Sequence, residues 1–236
     1  MLRIFSTFLL TLGVAVNSAS VNAQIALGFD IEVSDPARLV AAMDKYTESQ
    51  TGTSIPATAI LSQYVANGTS TATHNLAVFY PSVEGMDEAF LRNALSSDWN
   101  EFIMEFGAAS DTVLNVMFEP TGLTNNNADV ISGELYASRW IVVDVTDEAA
   151  FASEWQQLVN SDPADWNVNA SLWRIIAPGN ATGSHLISYQ ADNFSELLSV
   201  RNSSRPGLAS FQRAVNGIST AYSISMANTV KIWTNP

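Results

Sequence analysis

One stretch of the sequence occurs twice, and this repeat constrains the fold more than any other feature. Residues 73–80 read THNLAVFY, and residues 184–189 read SHLISY. These stretches contain the chain's two histidines, His74 and His185, which lie 111 residues apart. Each follows a polar loop containing glycine and opens an apolar run that ends near a tyrosine. We therefore interpret the chain as one supersecondary unit written twice.

A strand and a helix precede each histidine and recur in the same way. In residues 26–33, and again around 141–145, apolar side chains alternate with other residues, which is typical of a half-buried strand. Asp35 and Asp147 then stand where a helix N-cap is expected. Behind the caps, apolar residues recur at an offset of 112: Leu39, Met43 and Tyr46 match Phe151, Trp155 and Leu158.

Three further elements follow in each unit. Two strands joined by a glycine-containing loop give a hairpin signal. A second helix comes next, in which we expect Asp98 and Glu101 of the first unit to form a capping pair, and a last strand closes the unit. The predicted strands are 59–66, 74–80 and 112–118 in the first unit, and 171–177, 185–189 and 221–226 in the second, with 231–233 as an optional continuation.

Residues 1–23 have the organisation of a secretory signal peptide. Arg3 provides the positive start, residues 4–16 are almost wholly apolar, and small residues precede a cleavage site after Ala23. The apolar run is shorter than the ~20 residues of a membrane span, which argues against a retained anchor. We expect a soluble mature protein without membrane association, secreted or periplasmic in a bacterium.

Residues 119–134 contain proline, glycine and three successive asparagines, a composition typical of a linker. They separate a first unit, residues 24–118, from a second unit, residues 135–236. Each unit reads β-α-β-β-α-β, the arrangement of ferredoxin-like folds. Such a unit covers one sheet face with two helices and leaves the other bare, at a cost of roughly 25 cal/mol per Å² of exposed apolar area. Placing the two bare faces together removes that cost.

This arrangement resembles the dimeric α+β barrel superfamily, in the tandem form where one chain makes the whole barrel. We predict an α+β fold of two ferredoxin-like repeats packed sheet to sheet as a pseudo-twofold barrel. The resemblance implies ligands between sheet and helices or inside the barrel. Members include cofactor-independent monooxygenases, dye- and chlorite-processing haem enzymes and small-molecule isomerases. None of their functional residues maps one to one onto this sequence.

Composition excludes several classes of function. The chain has no cysteine, so disulfides, thiolate metal sites and cysteine nucleophiles are ruled out. Its formal net charge is −13, with no basic stripe, which argues against nucleic acid as a partner. The common hydrolase and nucleotide-binding motifs are missing from the sequence. Metal-ligand spacing such as His-Glu-x-x-His is missing too.

The two histidines are the candidate catalytic residues, because imidazole titrates near working pH. Their alternation matches Tyr80 in one unit and Tyr189 in the other, so we expect them at the rim of the face that the helices cover. They could equally be structural residues inherited from one ancestral unit. A haem would need an axial ligand, normally histidine. Both histidines stand at strand starts, where such residues often satisfy a chain end, so we expect no cofactor.

The opposite strand face is more mixed and offers candidate ligand-binding residues. It should carry Asp30, Phe79, Trp140 and Asp144, together with Asn115 and Met117 of the last strand. Small and polar residues beside aromatic ones are compatible with a cavity for a polar-aromatic ligand. Solvated strand ends would explain the same pattern, and both interpretations stay open.

Arg174 falls within an apolar strand and is expected to be buried with an anionic partner, either a protein carboxylate or an acidic ligand. With 23 acidic residues against 10 basic ones, an internal ion pair is favoured. We include Arg174 among the candidate ligand-binding residues with Tyr80 and Tyr189.

Taken together, these patterns favour an exported barrel that binds a small organic molecule, with an unknown oligomeric state. A cofactor-independent monooxygenase using His74 or His185 as base is the first alternative. A structural or assembly protein, whose acidic surface serves packing or solubility, is the second.

Overall fold

The computed structural model describes residues 25–125, 136–161, 168–179, 183–202 and 206–235. The expected signal peptide, residues 1–23, lies outside these ranges. Within them, no helix is both long and apolar enough to cross a membrane.

The first unit has four strands and three helices, with a short 3₁₀ turn at Gly52–Ser54 after the first helix. In chain order these are β1 (Ile25–Val33), α1 (Pro36–Thr47), β2 (Ala57–Ala66), β3 (His74–Tyr80), α2 (Val83–Ala94), α3 (Ser97–Ala109) and β4 (Ser110–Asn125). The second unit repeats that order with β5 (Ala137–Val145), α4 (Glu148–Asn160), β6 (Asn169–Ala177), β7 (His185–Ala191), α5 (Phe194–Asn202), α6 (Pro206–Ala214) and β8 (Ser219–Asn235).

The eight strands form one closed antiparallel barrel in the order β1-β3-β2-β8-β5-β7-β6-β4. Two pairings join the units, β2 with β8 and β4 with β6. The internal register is the same in both halves: Ile31 pairs with His74, and Val143 with His185. The predicted barrel and the predicted repeat are thus confirmed at the level of individual strand partners.

Both predicted caps of the first helices are present and equivalent. Asp35 Oδ1 accepts a hydrogen bond from the Arg38 amide at 3.0 Å, and Asp147 Oδ1 accepts one from the Ala150 amide at 3.0 Å. The predicted capping pair of Asp98 and Glu101 is wrong. Ser96 caps α3 instead, and Asp98 accepts hydrogen bonds from the backbone and side chain of Thr51.

Each unit contains one helix more than the sequence pattern predicted. α2 and α5 fill the connection between the hairpin and the last helix of their units. α2 begins at a Ser82 cap, and its buried stripe consists of Met86, Ala89 and Asn93. The amphipathic pattern of α5 is weak, whereas that of α2 is as strong as that of α1 and could have predicted the helix.

The last strand of the first unit differs from its prediction in two ways. β4 continues to Asn125, so the beginning of the expected linker is strand, and the rest of it lies outside the described residues. Its predicted faces are also reversed. Leu114 pairs with the inward-facing Asp30, whereas Asn115 pairs with Phe29 on the helix side. Both faces of this sheet are covered, so alternation of apolar and polar residues does not reveal which face points inward.

The helix-covered side of the second unit is a densely packed core. Trp155 has no exposed surface, and Phe211 packs against both Trp155 and Phe151, with ring centroids 5.8 and 5.6 Å away. The Trp155 indole N–H donates to the backbone carbonyl of Leu123 at 3.0 Å. Trp155 therefore links α4 to β4, a strand of the other unit.

We expect Trp155→Ala to lower the free energy of unfolding by about 3–5 kcal/mol, because it leaves a cavity in a packed core. Urea unfolding followed by far-UV circular dichroism measures the change. Leu91→Ala is the matched control: Leu91 is 65% exposed, so its truncation should stay within about 0.5 kcal/mol. Equal effects of the two substitutions would contradict the assignment of this core.

Candidate functional site: two cavities separated by one sheet

The first unit encloses a large cavity between its sheet and its helices, which we call the helix–sheet cavity. Its volume is about 840 Å³. Most of its wall is apolar, with Leu27 and Phe29 from β1, Met43 from α1 and Val78 from β3. The aromatic side chains around it are Phe29, Tyr46, Tyr80, Phe90, Trp99, Phe102, Phe106 and Trp233.

The cavity exists because the two units fill equivalent positions differently. In the second unit, Trp155 and Tyr189 meet between α4 and β7, with ring centroids 6.1 Å apart. The repeat places Met43 and Val78 at these positions in the first unit, and both line the cavity. The first unit has its aromatic bulk along α3 instead, where Trp99 replaces the leucine of α6.

The aromatic wall of the helix–sheet cavity is a continuous cluster. Tyr46 contacts Trp99 and Phe102, with ring centroids 5.3 and 5.0 Å away. Phe102 in turn contacts Phe106 at 5.5 Å. Offset and edge-to-face contacts of this kind hold rings in fixed orientations. The wall is therefore pre-organised before any molecule enters.

A few polar groups face this apolar space. The Tyr46 hydroxyl donates to Asn93 Oδ1 at 2.6 Å. Burial raises the pKa of Tyr46 to about 12, and burial also raises the pKa of Tyr80 to about 12. Both phenols are thus neutral at physiological pH. The Asn93 amide nitrogen has no hydrogen-bond partner among the described residues, so it can donate to a bound molecule.

The mouth of the helix–sheet cavity lies between α2 and α3. Phe90 and Ile103 both line the cavity, and each is 46% exposed. Phe90 packs edge-on against Tyr80, with ring centroids 6.3 Å apart. An apolar molecule would therefore meet apolar side chains at the entrance.

A second, smaller cavity of about 300 Å³ lies inside the barrel, and we call it the barrel cavity. Asp30, Phe79 and Trp140, which the sequence placed on the mixed face, all line it. Its polar centre is Asp30, whose Oδ1 accepts hydrogen bonds from the Tyr64 hydroxyl at 2.6 Å and from Asn75 Nδ2 at 2.9 Å.

The two histidines lie at the helix-side rim, as their alternation predicted, and neither lines either cavity. Both make the same contact through Nδ1. His74 Nδ1 is 2.9 Å from Thr73 Oγ1, and His185 Nδ1 is 2.9 Å from Ser184 Oγ. These two hydroxyls also accept the backbone N–H of Val33 and Val145. A shared contact that ties two strand ends together supports a structural role, and catalysis by either histidine stays a prediction.

The other candidate residues are spread over the molecule. Tyr80 lines the helix–sheet cavity, while Tyr189 is buried in the second-unit core. Asp144 is half-buried at the end of β5 and lines neither cavity. The expected burial of Arg174 is wrong: its side chain is 46% exposed and pairs with Glu119 and Glu148 on the surface. Its strand position faces solvent because the barrel places this side chain outside.

The lining of the helix–sheet cavity does not fit a haem. Haem iron in proteins takes histidine, cysteine, methionine or tyrosine as its axial ligand. No described histidine lines the cavity, and its two tyrosines have raised pKa values, which disfavours the tyrosinate form. Met43 and Met117 are the remaining donors, and both pack among apolar side chains. In the described ranges, moreover, no three acidic or histidine side chains cluster closely enough to hold a metal ion.

Comparison with known proteins reveals similarity at the level of structure. No protein-family model matches the sequence, and no curated protein matches it. A provisionally assigned monooxygenase from Fusobacterium nucleatum has a TM-score of 0.62 at 9% identity, over 89% of this chain and 93% of that one. An anthrone oxidase-like protein has a TM-score of 0.57 at 11% identity, over 90% and 94%. A chlorite dismutase variant from Candidatus Nitrospira defluvii reaches 0.52 at 9%, over 89% and 92%.

This chain shares the overall fold of these neighbours, and its eight strands form the two-repeat α+β barrel predicted from the sequence. Both ferredoxin-like halves belong to one polypeptide. At such low identity the likeness concerns the fold, so the function has to be argued from the cavities themselves.

Burial lowers the pKa of both histidines below the ordinary value, with Glu148 partly opposing the effect at His185. Protonation of the histidines therefore favours the unfolded chain. The stabilisation that the neutral histidines give to the folded state is fully present above their unfolded-state pKa of about 6.5, and it is lost as pH falls through the lowered folded-state pKa. We expect the free energy of unfolding to fall more between pH 7 and pH 5 in the wild type than in a His74→Gln/His185→Gln variant. Urea titrations at both pH values measure the free energy of unfolding. An identical pH dependence in the wild type and the variant would refute this expectation.

Proposed function

We propose that this protein binds a small, largely apolar aromatic molecule in the helix–sheet cavity of its first unit. The observation that carries the proposal is the difference between the two units. Equivalent positions hold Trp155 and Tyr189 in a packed core and Met43 and Val78 beside a cavity of about 840 Å³. The signal-like residues 1–23 support export of this binding protein, which the N-terminal mass of secreted chain would test.

An open cavity in one half is costly unless something fills it. Lost packing around an empty apolar space destabilises a protein by about 24 cal/mol per Å³ in the lysozyme series that established the relation. The second unit demonstrates that the same fold can pack this region with large side chains. Retention of the space in the first unit therefore supports a role in binding.

The lining indicates the class of ligand. Pockets of about 300–1,000 Å³ with mainly apolar walls and a few polar groups are typical small-molecule sites. The aromatic wall formed by Tyr46, Trp99 and Phe102 suits a flat ring system. Asn93 can donate a hydrogen bond to a carbonyl or hydroxyl oxygen on that ring system.

N-Phenyl-1-naphthylamine, a neutral fluorescent aromatic probe, tests the proposal. We expect saturable binding to the wild type. A Met43→Trp/Val78→Tyr variant, which transfers the side chains of the second unit into the first, should lower the probe affinity at least tenfold because it fills the cavity. Fluorescence titration measures the affinity, and circular dichroism checks the fold.

Leu91→Trp is the matched control, since it adds an indole at a position that is 65% exposed and outside the cavity lining. It should leave probe affinity within about twofold of the wild type. Unchanged binding in the filled variant, or no saturable binding by the wild type, would overturn the proposal.

Oxygenation of the bound molecule is the second candidate function. Structural neighbours that cover about nine-tenths of this chain are provisionally assigned as monooxygenases or described as anthrone oxidase-like. His74 stands two residues before Leu76, on the same strand face, and Leu76 lines the cavity. Burial lowers the pKa of His74, so its imidazole is neutral and can accept a proton.

We expect an oxygenase of this kind to consume O₂ with anthrone as substrate and no added cofactor, and His74→Gln to lower kcat at least tenfold. His185→Gln is the matched control, because His185 makes the same Nδ1 contact with the preceding hydroxyl but lies in the packed unit. An oxygen electrode measures the rates. Equal rates in the wild type and both variants would remove histidine as the base.

A further inference from the structure

The two units contribute equivalent walls to the barrel cavity, and these walls differ at Asp30 and its hydrogen-bond partners, which we call the polar wall. Asp30, Tyr64 and Asn75 line the cavity from the first unit. The repeat places three apolar residues at the same positions of the second unit, and these also line the cavity: Val142, Ile175 and Leu186. The strand register confirms the equivalence, since Asp30 pairs with Asn75 and Val142 pairs with Leu186. The barrel can therefore be built without the polar group.

The polar wall is arranged so that one carboxylate oxygen stays available. Tyr64 and Asn75 both donate to the same atom, Asp30 Oδ1. Oδ2 has no hydrogen-bond partner among the described residues. Burial and the neighbouring Asp30 raise the pKa of Tyr64, so its hydroxyl remains a donor. The two donors fix the orientation of the Asp30 carboxylate, and its second oxygen, Oδ2, can still accept a hydrogen bond.

Asp30 is also the one charged side chain among the described residues that line the barrel cavity. No lysine or arginine of that lining balances its charge. A partly buried carboxylate is stabilised by an opposite charge nearby. The chain's net charge of −13 further favours cations over anions as ligands of this site.

Aromatic rings line the same cavity as this carboxylate. The Tyr64 ring, which belongs to the Asp30 cluster, packs edge-to-face with Trp140 at 5.8 Å. Trp173 closes another side, 6.0 Å from Phe79 between ring centroids. The faces of tryptophan and tyrosine attract organic cations, most strongly where water is excluded.

A separate observation concerns a buried hydroxyl of the same cavity. Ser138 lines the same cavity, is 1% exposed, and its hydroxyl has no hydrogen-bond partner among the described residues. Buried hydroxyls without partners are rare in folded proteins. Because this hydroxyl has almost no accessible surface, a molecule in the cavity could contact it only after the side chains around it move.

We propose that the barrel cavity is a second binding site, specific for a small organic ammonium ion that pairs with Asp30 Oδ2 among the rings of Tyr64 and Trp140. A volume of about 300 Å³ suits an amine with a single ring or a short chain. The site is independent of the helix–sheet cavity, because the strands of the first unit separate the two.

Isothermal titration calorimetry with phenethylamine and with its neutral analogue 2-phenylethanol tests the proposal at pH 7 and low salt. We expect phenethylamine to bind at least tenfold more tightly than the alcohol. Asp30→Asn should lower the amine affinity at least tenfold. Glu32→Gln, which removes the same charge from an exposed position on the same strand, should change it less than twofold.

Equal affinity for amine and alcohol, or equal effects of the two substitutions, would overturn the proposal. Tyr64→Phe keeps the carboxylate and removes one donor, so a folded Tyr64→Phe protein should retain amine binding even if Asp30→Asn fails to fold. The indole N–H resonances of the wild type locate the site. Phenethylamine should shift the signal of Trp140, and a shift confined to Trp99 or Trp233 would place it in the other cavity and refute the assignment.

Discussion

The two pairings that join β2 to β8 and β4 to β6 determine most of what this molecule can do. A ferredoxin-like unit alone would leave its two outer strands with unpaired edges: β2 and β4 in the first unit, β6 and β8 in the second. Such edges are prone to association. Closing the barrel satisfies the edges and encloses the faces without helices. Every strand then separates two interiors. In β4, Leu114 points into the barrel and Met117 into the space under the helices.

Much of this architecture could be predicted from the sequence, because the repeat carries information that a single unit would not. The offset between His74 and His185 predicted equivalent strand registers, and the caps at Asp35 and Asp147 recur with it. Hydrophobic periodicity failed where its physical basis is weak. α5 has little amphipathic pattern, and β4 has two covered faces, so alternation cannot tell them apart.

The candidate sites were predictable only in part. Strand alternation brought Asp30, Phe79 and Trp140 to one cavity, but missed Tyr64, whose strand was not assigned an inward face. The resemblance implied a ligand between sheet and helices, but residue spacing did not predict the helix–sheet cavity, because spacing reports which side a residue faces and not the volume left over. Comparison of side-chain sizes across the repeat, as between Met43 and Trp155, is the signal that could have revealed it.

Because both halves belong to one polypeptide, their sequences can differ. A barrel assembled from two copies of one chain must present every pocket, charge and packing defect twice, at symmetric positions. Here one half supplies rigidity through Trp155 and its neighbours, and the other can tolerate a hollow and a lone carboxylate. Duplication within the chain therefore allows the two units to have different roles, which the symmetry of a homodimer forbids. One unit stabilises the fold, and the other can change in sequence and shape.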